Sequence, residues 1–182
     1  MLNLFSELSN IENNKSVNKD QIINNIKDII KNSNYSVIEM DDQKPWGAYF
    51  KFHNNLADEF VEEFFPEISL KQAKLGNDNA ELSPKILLVS PEQRLSWQYH
   101  ERRAERWRFL TDGAYHNSLN DDECEKKLAK TNDSVQFMPL ERHRLVGDNN
   151  FYTIVAEIWQ HTDPNALSNE ADNFRVQDDY NR

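Results

Sequence analysis

Residues 95–107 read LSWQYHERRAERW. The run up to His100 reads as a β-strand, and in a strand residues two apart leave the same face. Gln98 and His100 therefore point to one side. Glu105 opens a second strand-like run, ERWRFLT, where alternation places it with Trp107 and Phe109 and turns Arg106 and Arg108 the other way. A third segment, MPLERHRLVG, brings His143 from far along the chain and turns Arg144 outward. One amide oxygen, two imidazoles and a carboxylate can hold a divalent cation and leave coordination positions open. The competing reading of His100 is a buried, hydrogen-bonded structural histidine. His53, His116 and His161 have no comparable neighbours and read as ordinary.

Working outward, the patterning after residue 84 is strand throughout: KILLVS, LSWQYH, AERWRFLT, GAYHNSL, VQFMP, RHRLV and FYTIVAEIWQ. Several short strands with tight turns and no intervening helix predict an antiparallel sandwich or barrel. Tyr35 to Met40 and Ala48 to His53 read as two further strands around the turn of Pro45-Trp46-Gly47. Helical spacing is confined to the first third. Ile22, Ile23, Ile26, Ile29 and Ile30 share one helical face. Ser16, Asn18 or Asp20 can cap that helix, and Asn32-Ser33-Asn34 ends it. Leu56, Phe60, Val61, Phe64 and Phe65 repeat the spacing up to Pro66, and residues 71–83 read as a polar surface excursion. The division expected is a helical extension over 1–34 and a β-barrel domain over 35–182.

The 182 residues carry a formal net charge of −10. Such a chain repels nucleic acid and anionic lipid, although a local basic pocket stays compatible with it. The single cysteine, Cys124, forms no internal disulfide, which fits a reducing compartment. Met1 to Asn10 lacks the basic and apolar blocks of a leader, and no apolar run approaches a membrane span. A soluble cytoplasmic protein is the expectation.

The spacing Gln98-x-His100, then Glu105, then Gly113 resembles the first cupin motif, where histidine normally holds the first position. Glutamine there resembles the metal site of phosphomannose isomerases. LSWQYHERRAERW is similar to a signature in the cupin part of type II phosphomannose isomerases. PWGAY near residue 45 and the ending RVQDDYNR resemble two more of their signatures. KILLVSPEQRLS, ERHRLVG and AEIWQHTDP are similar to stand-alone cupins labelled as sugar-phosphate isomerases. The resemblance covers residues 44–182 with a gap at 71–83. It departs at Glu101, Arg102 and Arg106, where the longer enzymes have histidines, at the glycine missing from PLERH, and at Asn181 in place of a terminal glycine.

The resemblance implies a mainly β fold, a cupin-type double-stranded β-helix (jelly-roll barrel), and a homodimer. It also implies a divalent metal ion on Gln98, His100, Glu105 and His143: zinc first, with manganese, iron, cobalt or nickel as alternatives. The implied activity is aldose–ketose isomerisation of a small phosphorylated sugar, with mannose 6-phosphate to fructose 6-phosphate as the type reaction. Arg103 matches the arginine of the signature and is the expected catalytic or substrate-orienting cation. Lys85, at the head of the KILLVS run, and Arg182 are the expected phosphate contacts, each set against a plain surface role. The general base stays unassigned. Two other readings compete: a cupin that binds metal or sugar without turnover, and a metal-free epimerase of nucleotide-linked sugars.

Overall fold

A computed structural model describes residues 3–181. Arg182 lies outside the described residues. In chain order the helices are α1 (Leu4–Ser9), α2 (Lys19–Lys31), α3 (Ala57–Phe64) and α4 (Leu70–Ala73). The strands are β1 (Val37–Asp41), β2 (Gly47–Phe52), β3 (Leu82–Val89), β4 (Trp97–Tyr99), β5 (Arg103–Phe109), β6 (Gly113–Ser118), β7 (Lys127–Ala129), β8 (Ser134–Phe137), β9 (Arg142–Val146), β10 (Thr153–His161) and β11 (Phe174–Gln177). They form two antiparallel sheets, ordered β1-β2-β3-β10-β5-β8 and β11-β4-β9-β6-β7. Strands that are distant in sequence sit side by side, which is the jelly-roll arrangement of the cupin-type barrel.

The two sheets face each other across a small core of Trp46, Leu87, Val89, Trp107, Phe109, Phe137, Leu145 and Val155. The larger core lies on the other face of the first sheet. There Phe50, Phe52, Ile86, Leu88, Ile154, Ala156 and Ile158 meet Leu4, Leu8, Ile22, Ile23, Ile26 and Ile30 of α1 and α2, together with Phe60 and Phe64 of α3. The isoleucine stripe is thus buried on the barrel, with Asn18 capping α2 by accepting from the Gln21 amide at 2.8 Å. Cover on both faces explains why β3 and β10 are buried at every position and read as near-continuous apolar runs.

The span expected as a surface excursion is partly structured. Ser69 and Gln72 form a capping box on α4. Gln160 Nε2 donates to the Ala73 carbonyl at 2.6 Å, which ties the segment to β10. β3 consequently begins at Leu82, so Lys85 is an interior residue of the strand and not its head. Pro84 is tolerated there because the ladder to β2 stops at Lys85 and leaves a neighbour on one side only.

Gly47 makes the turn into β2. A Cβ at this position would lie 1.8 Å from the Leu88 carbonyl oxygen, so the first sheet closes only over a residue without a side chain. Gly47→Ala is expected to destabilise the fold by about 3 kcal/mol, measured as a lower urea midpoint with an unchanged slope. An unchanged midpoint would refute the close approach.

Candidate metal centre

Each inward residue is placed by the strand pleat. On β5, Arg103, Glu105, Trp107 and Phe109 turn toward the second sheet, while Arg106 and Arg108 lie on the other face near Glu67. On β10, Ile154, Ala156 and Ile158 go to the helical core, which leaves Glu157 and Trp159 turned into the barrel. Lys85 is the register partner of Glu157, and Glu105 that of Trp159. From the second sheet, Gln98 on β4 pairs in register with His143 on β9.

His100, Glu105 and His143 come together as a buried trio whose ligand atoms lie within 4.8 Å of one another. His100 Nε2 is 3.0 Å from Glu105 Oε1, His143 Nε2 is 3.3 Å from Glu105 Oε2, and the two Nε2 atoms are 3.2 Å apart. With metal–ligand bonds of about 2.1 Å, donors sit about 3.0 Å apart on an octahedral edge and about 3.4 Å apart on a tetrahedral one. The trio falls between those limits.

The tautomers are decided by the backbone. His100 Nδ1 is 2.9 Å from the Asp172 carbonyl and His143 Nδ1 is 3.0 Å from the Glu141 carbonyl. A carbonyl only accepts, so each Nδ1 carries the proton and each Nε2 presents a lone pair. Arg103 Nη2 offers one N–H to His100 Nε2 at 3.1 Å. The partners of His143 Nε2 are His100 Nε2 and Glu105, both acceptors. Two lone pairs and a carboxylate converging in a buried place make a donor set that a divalent cation satisfies. Burial also lowers the tendency of His100 to protonate instead. Burial pushes the Glu105 carboxyl up, but His100, Arg103 and His143 outweigh it and hold it well below the usual carboxylate range.

Gln98 lines the cavity beside the trio, and its Oε1 accepts from Ser96 Oγ at 2.6 Å. Arg103 is 2 % exposed and fully engaged. It donates to Glu105 at 2.8 Å and to Ser168 Oγ at 2.7 Å, and it lies over the Trp159 ring at 3.5 Å. Lys85 is 6 % exposed, sits 3.7 Å from Glu157 and, like Arg103, stands over the Trp159 ring, at 3.0 Å. Burial draws the Lys85 ammonium down to about 8. Burial, then the Glu105 carboxylate, pushes the Glu157 carboxyl up to about 8. The Trp107 indole N–H bridges the two acids, 3.1 Å from Glu157 and 3.3 Å from Glu105.

Sequence reasoning missed Glu157 and Asp172. A lone acid inside TIVAEIWQH was a usable signal for the first, because such a residue in a doubly covered strand faces either a partner or a site. Nothing local marked Asp172. Its carboxylate accepts from the Glu101 and Arg102 amides, each at 3.1 Å, and from Ser168 Oγ at 2.6 Å, so it clamps the turn that follows His100. Arg144 does leave the outer face, yet it is wholly buried. Glu123 and the Gln177 carbonyl close over it, because the C-terminal segment covers that side of the sheet. His161 is a satisfied buried histidine: Nδ1 accepts from the Ser168 amide at 3.0 Å, so Nε2–H donates to Ser83 Oγ at 2.9 Å. That direction leaves the serine without a base.

Comparison with known proteins carries the fold. The chain is similar to the capsular polysaccharide assembling protein CapF from Staphylococcus aureus, with TM-score 0.51 and 14 % identity over 81 % of this chain and 33 % of that one. It is also similar to vicilin from Corylus avellana (hazelnut), with TM-score 0.51 and 7 % identity over 84 % of this chain and 38 % of that one. A Cupin 2 conserved barrel domain protein from Salinispora arenicola aligns at TM-score 0.40 and 18 % identity, over 46 % of this chain and 66 % of its own. The chain thus spans about a third of the length of CapF. No family model matches the sequence, and no curated protein does. Fold and donor set together define a cupin-type barrel with a group able to hold a metal ion. The narrower likeness to type II phosphomannose isomerases rests on sequence motifs alone. Among the described residues, no helix is long and apolar enough to cross a membrane.

Two outcomes are expected. His100→Ala loses most of the bound metal in elemental analysis of the purified protein while its circular dichroism is unchanged, and equal metal in both proteins would reject His100 as a ligand. Separately, burial lowers His161 to about 4. Between the ordinary imidazole value of about 6.5 and that figure, the unfolded chain binds a proton that the folded one refuses. Stability therefore falls as the pH drops through that window. His161→Gln should flatten this limb in urea titrations, and an unaltered limb would exclude His161 as its source.

Proposed function

We propose that the chain is a metal-dependent aldose–ketose isomerase acting on a phosphorylated sugar, of the mannose 6-phosphate/fructose 6-phosphate type. The observation that carries this reading is the shared cavity. One small space, ≈ 80 Å³, is lined by Gln98 and Glu105 on the metal side and by Lys85 and Glu157 on the other. Such a space takes the reacting end of a sugar while the remainder points out through the mouth.

Moving a proton between adjacent carbons develops negative charge on the substrate oxygens, and a bound divalent ion supplies the electrostatic stabilisation of that charge. In this reading His100, Glu105 and His143 hold the ion and Gln98 adds the fourth ligand. Arg103 fixes Glu105 and His100 through its two contacts, and its charge adds to the positive potential beside the reacting oxygens. Lys85 and Glu157 lie 3.7 Å apart, and burial draws the ammonium down and pushes the carboxyl up until both sit at about 8, so a proton passes between them at little cost. That makes Glu157 the group suited to hold and return the carbon-derived proton, with Lys85 as its partner. Zinc is the ion of first choice for nitrogen and carboxylate donors; manganese, iron, cobalt and nickel are compatible.

A metal- or sugar-binding module without turnover is the second reading. It is favoured by Arg103, whose guanidinium is committed to protein partners on every side described.

A coupled assay of the purified protein with Zn²⁺, Mn²⁺ or Co²⁺ on several sugar phosphates tests the proposal. Turnover above buffer is expected, and rates equal to buffer on all of them would eliminate the isomerase. Glu157→Gln should lower kcat by about 100-fold or more with metal content unchanged. A variant with wild-type kcat would remove Glu157 from the chemistry.

A further inference from the structure

We infer that Arg175, with Lys44 across the same mouth, forms the subsite for the phosphate group of the substrate. This rests on the sugar-phosphate reading above and names the residues that would select for the phosphate.

The placement follows from register. Arg175 on β11 pairs with Gln98 on β4, and Gln98 pairs with His143 on β9. Three strands therefore carry Arg175, Gln98 and His143 in one row across the second sheet, at a spacing of about 4.8 Å per strand. The pleat decides the direction of the first of them. Phe174 pairs with Tyr99 and stacks on its ring at 5.1 Å with the planes 11° apart, which occupies the outer face. Arg175 is turned the other way and lines the cavity with Gln98, Arg103 and Glu105. The Arg175 backbone is thus about two strand spacings, roughly 10 Å along the sheet, from that of His143. A phosphate held there lies one sugar length from the metal trio.

The charges of the wall single out the same residue. Lys44 is 3.1 Å from Asp41, Lys85 is 3.7 Å from Glu157 and Arg103 is 2.8 Å from Glu105. Arg175 lines the same wall and makes no ion pair or side-chain hydrogen bond among the described residues. An uncommitted guanidinium presents a planar, two-pronged donor that matches two phosphate oxygens. Lys44 lines the same cavity and adds a second positive charge. Glu170 lines the same cavity, and its carboxylate is the charge that the two cations have to outweigh. Arg175 is exposed on an edge strand and at the same time lines the cavity, which leaves its guanidinium open to a ligand entering from solvent.

Isothermal titration of the zinc-loaded full chain separates the readings, with D-fructose 6-phosphate, D-fructose and inorganic phosphate as probes. Fructose 6-phosphate is expected to bind the wild type, and Arg175→Ala to weaken it roughly 10- to 100-fold. Arg175→Lys should be intermediate, with metal content, Tm and the response to unphosphorylated fructose unchanged in both variants. Wild-type affinity in Arg175→Ala would overturn the subsite. So would no detectable binding of either phosphate-bearing probe to the wild type, or equal losses for fructose and its phosphate. Binding needs no turnover. Loss of binding in Arg175→Ala together with an inactive wild type upholds the subsite and rejects the isomerase. Turnover with an unchanged KM in Arg175→Ala rejects the subsite alone.

Discussion

Two backbone carbonyls hold the candidate centre in its chemical state. Asp172 and Glu141 each take the Nδ1–H of a histidine, and this forces the Nε2 lone pairs of His100 and His143 toward Glu105. Without those two bonds the rings could turn over, and one could hold a neutral hydrogen bond to the carboxylate instead. With them, the barrel encloses a place richer in electron pairs than in protons. The surrounding groups temper this. Arg103 supplies positive charge to Glu105, and the Trp107 indole N–H is shared between the two inward acids.

The first sheet is what makes so polar an interior tolerable. Its outer face is sealed by α1, α2 and α3, so most of the apolar burial of the fold lies outside the barrel. The inner core is smaller, and it gives way toward the cavity to Lys85, Glu105, Glu157 and Arg103, all of them buried. Charges placed there lose hydration and are compensated by partners and aromatic faces. Stability and chemistry are thus assigned to opposite faces of the same six strands.

Much of this was legible in the chain. The isoleucine spacing marks the buried face of α2, and alternation in AERWRFLT puts Glu105 inward beside Trp107. The side-by-side placement of Gln98 and His100 follows from a period of two. What stayed hidden depends on segments remote in sequence. Lys85 looked like a strand head because the turn that ties Ala73 to Gln160 cannot be read from a polar stretch. Alternation turns Arg144 outward but does not show that it is buried, because its cover, Glu123 and the Gln177 carbonyl, comes from other parts of the chain. Arg175 sits in a short edge strand whose pairing with Gln98 has no local signature.

Asp172 binds the chain's late segment to its earliest chemistry. The carbonyl that orients His100 belongs to a residue 72 positions after it, and the side chain of that residue grips the two amides that follow the ring. The centre is therefore assembled only when the last crossing of the barrel mouth has docked.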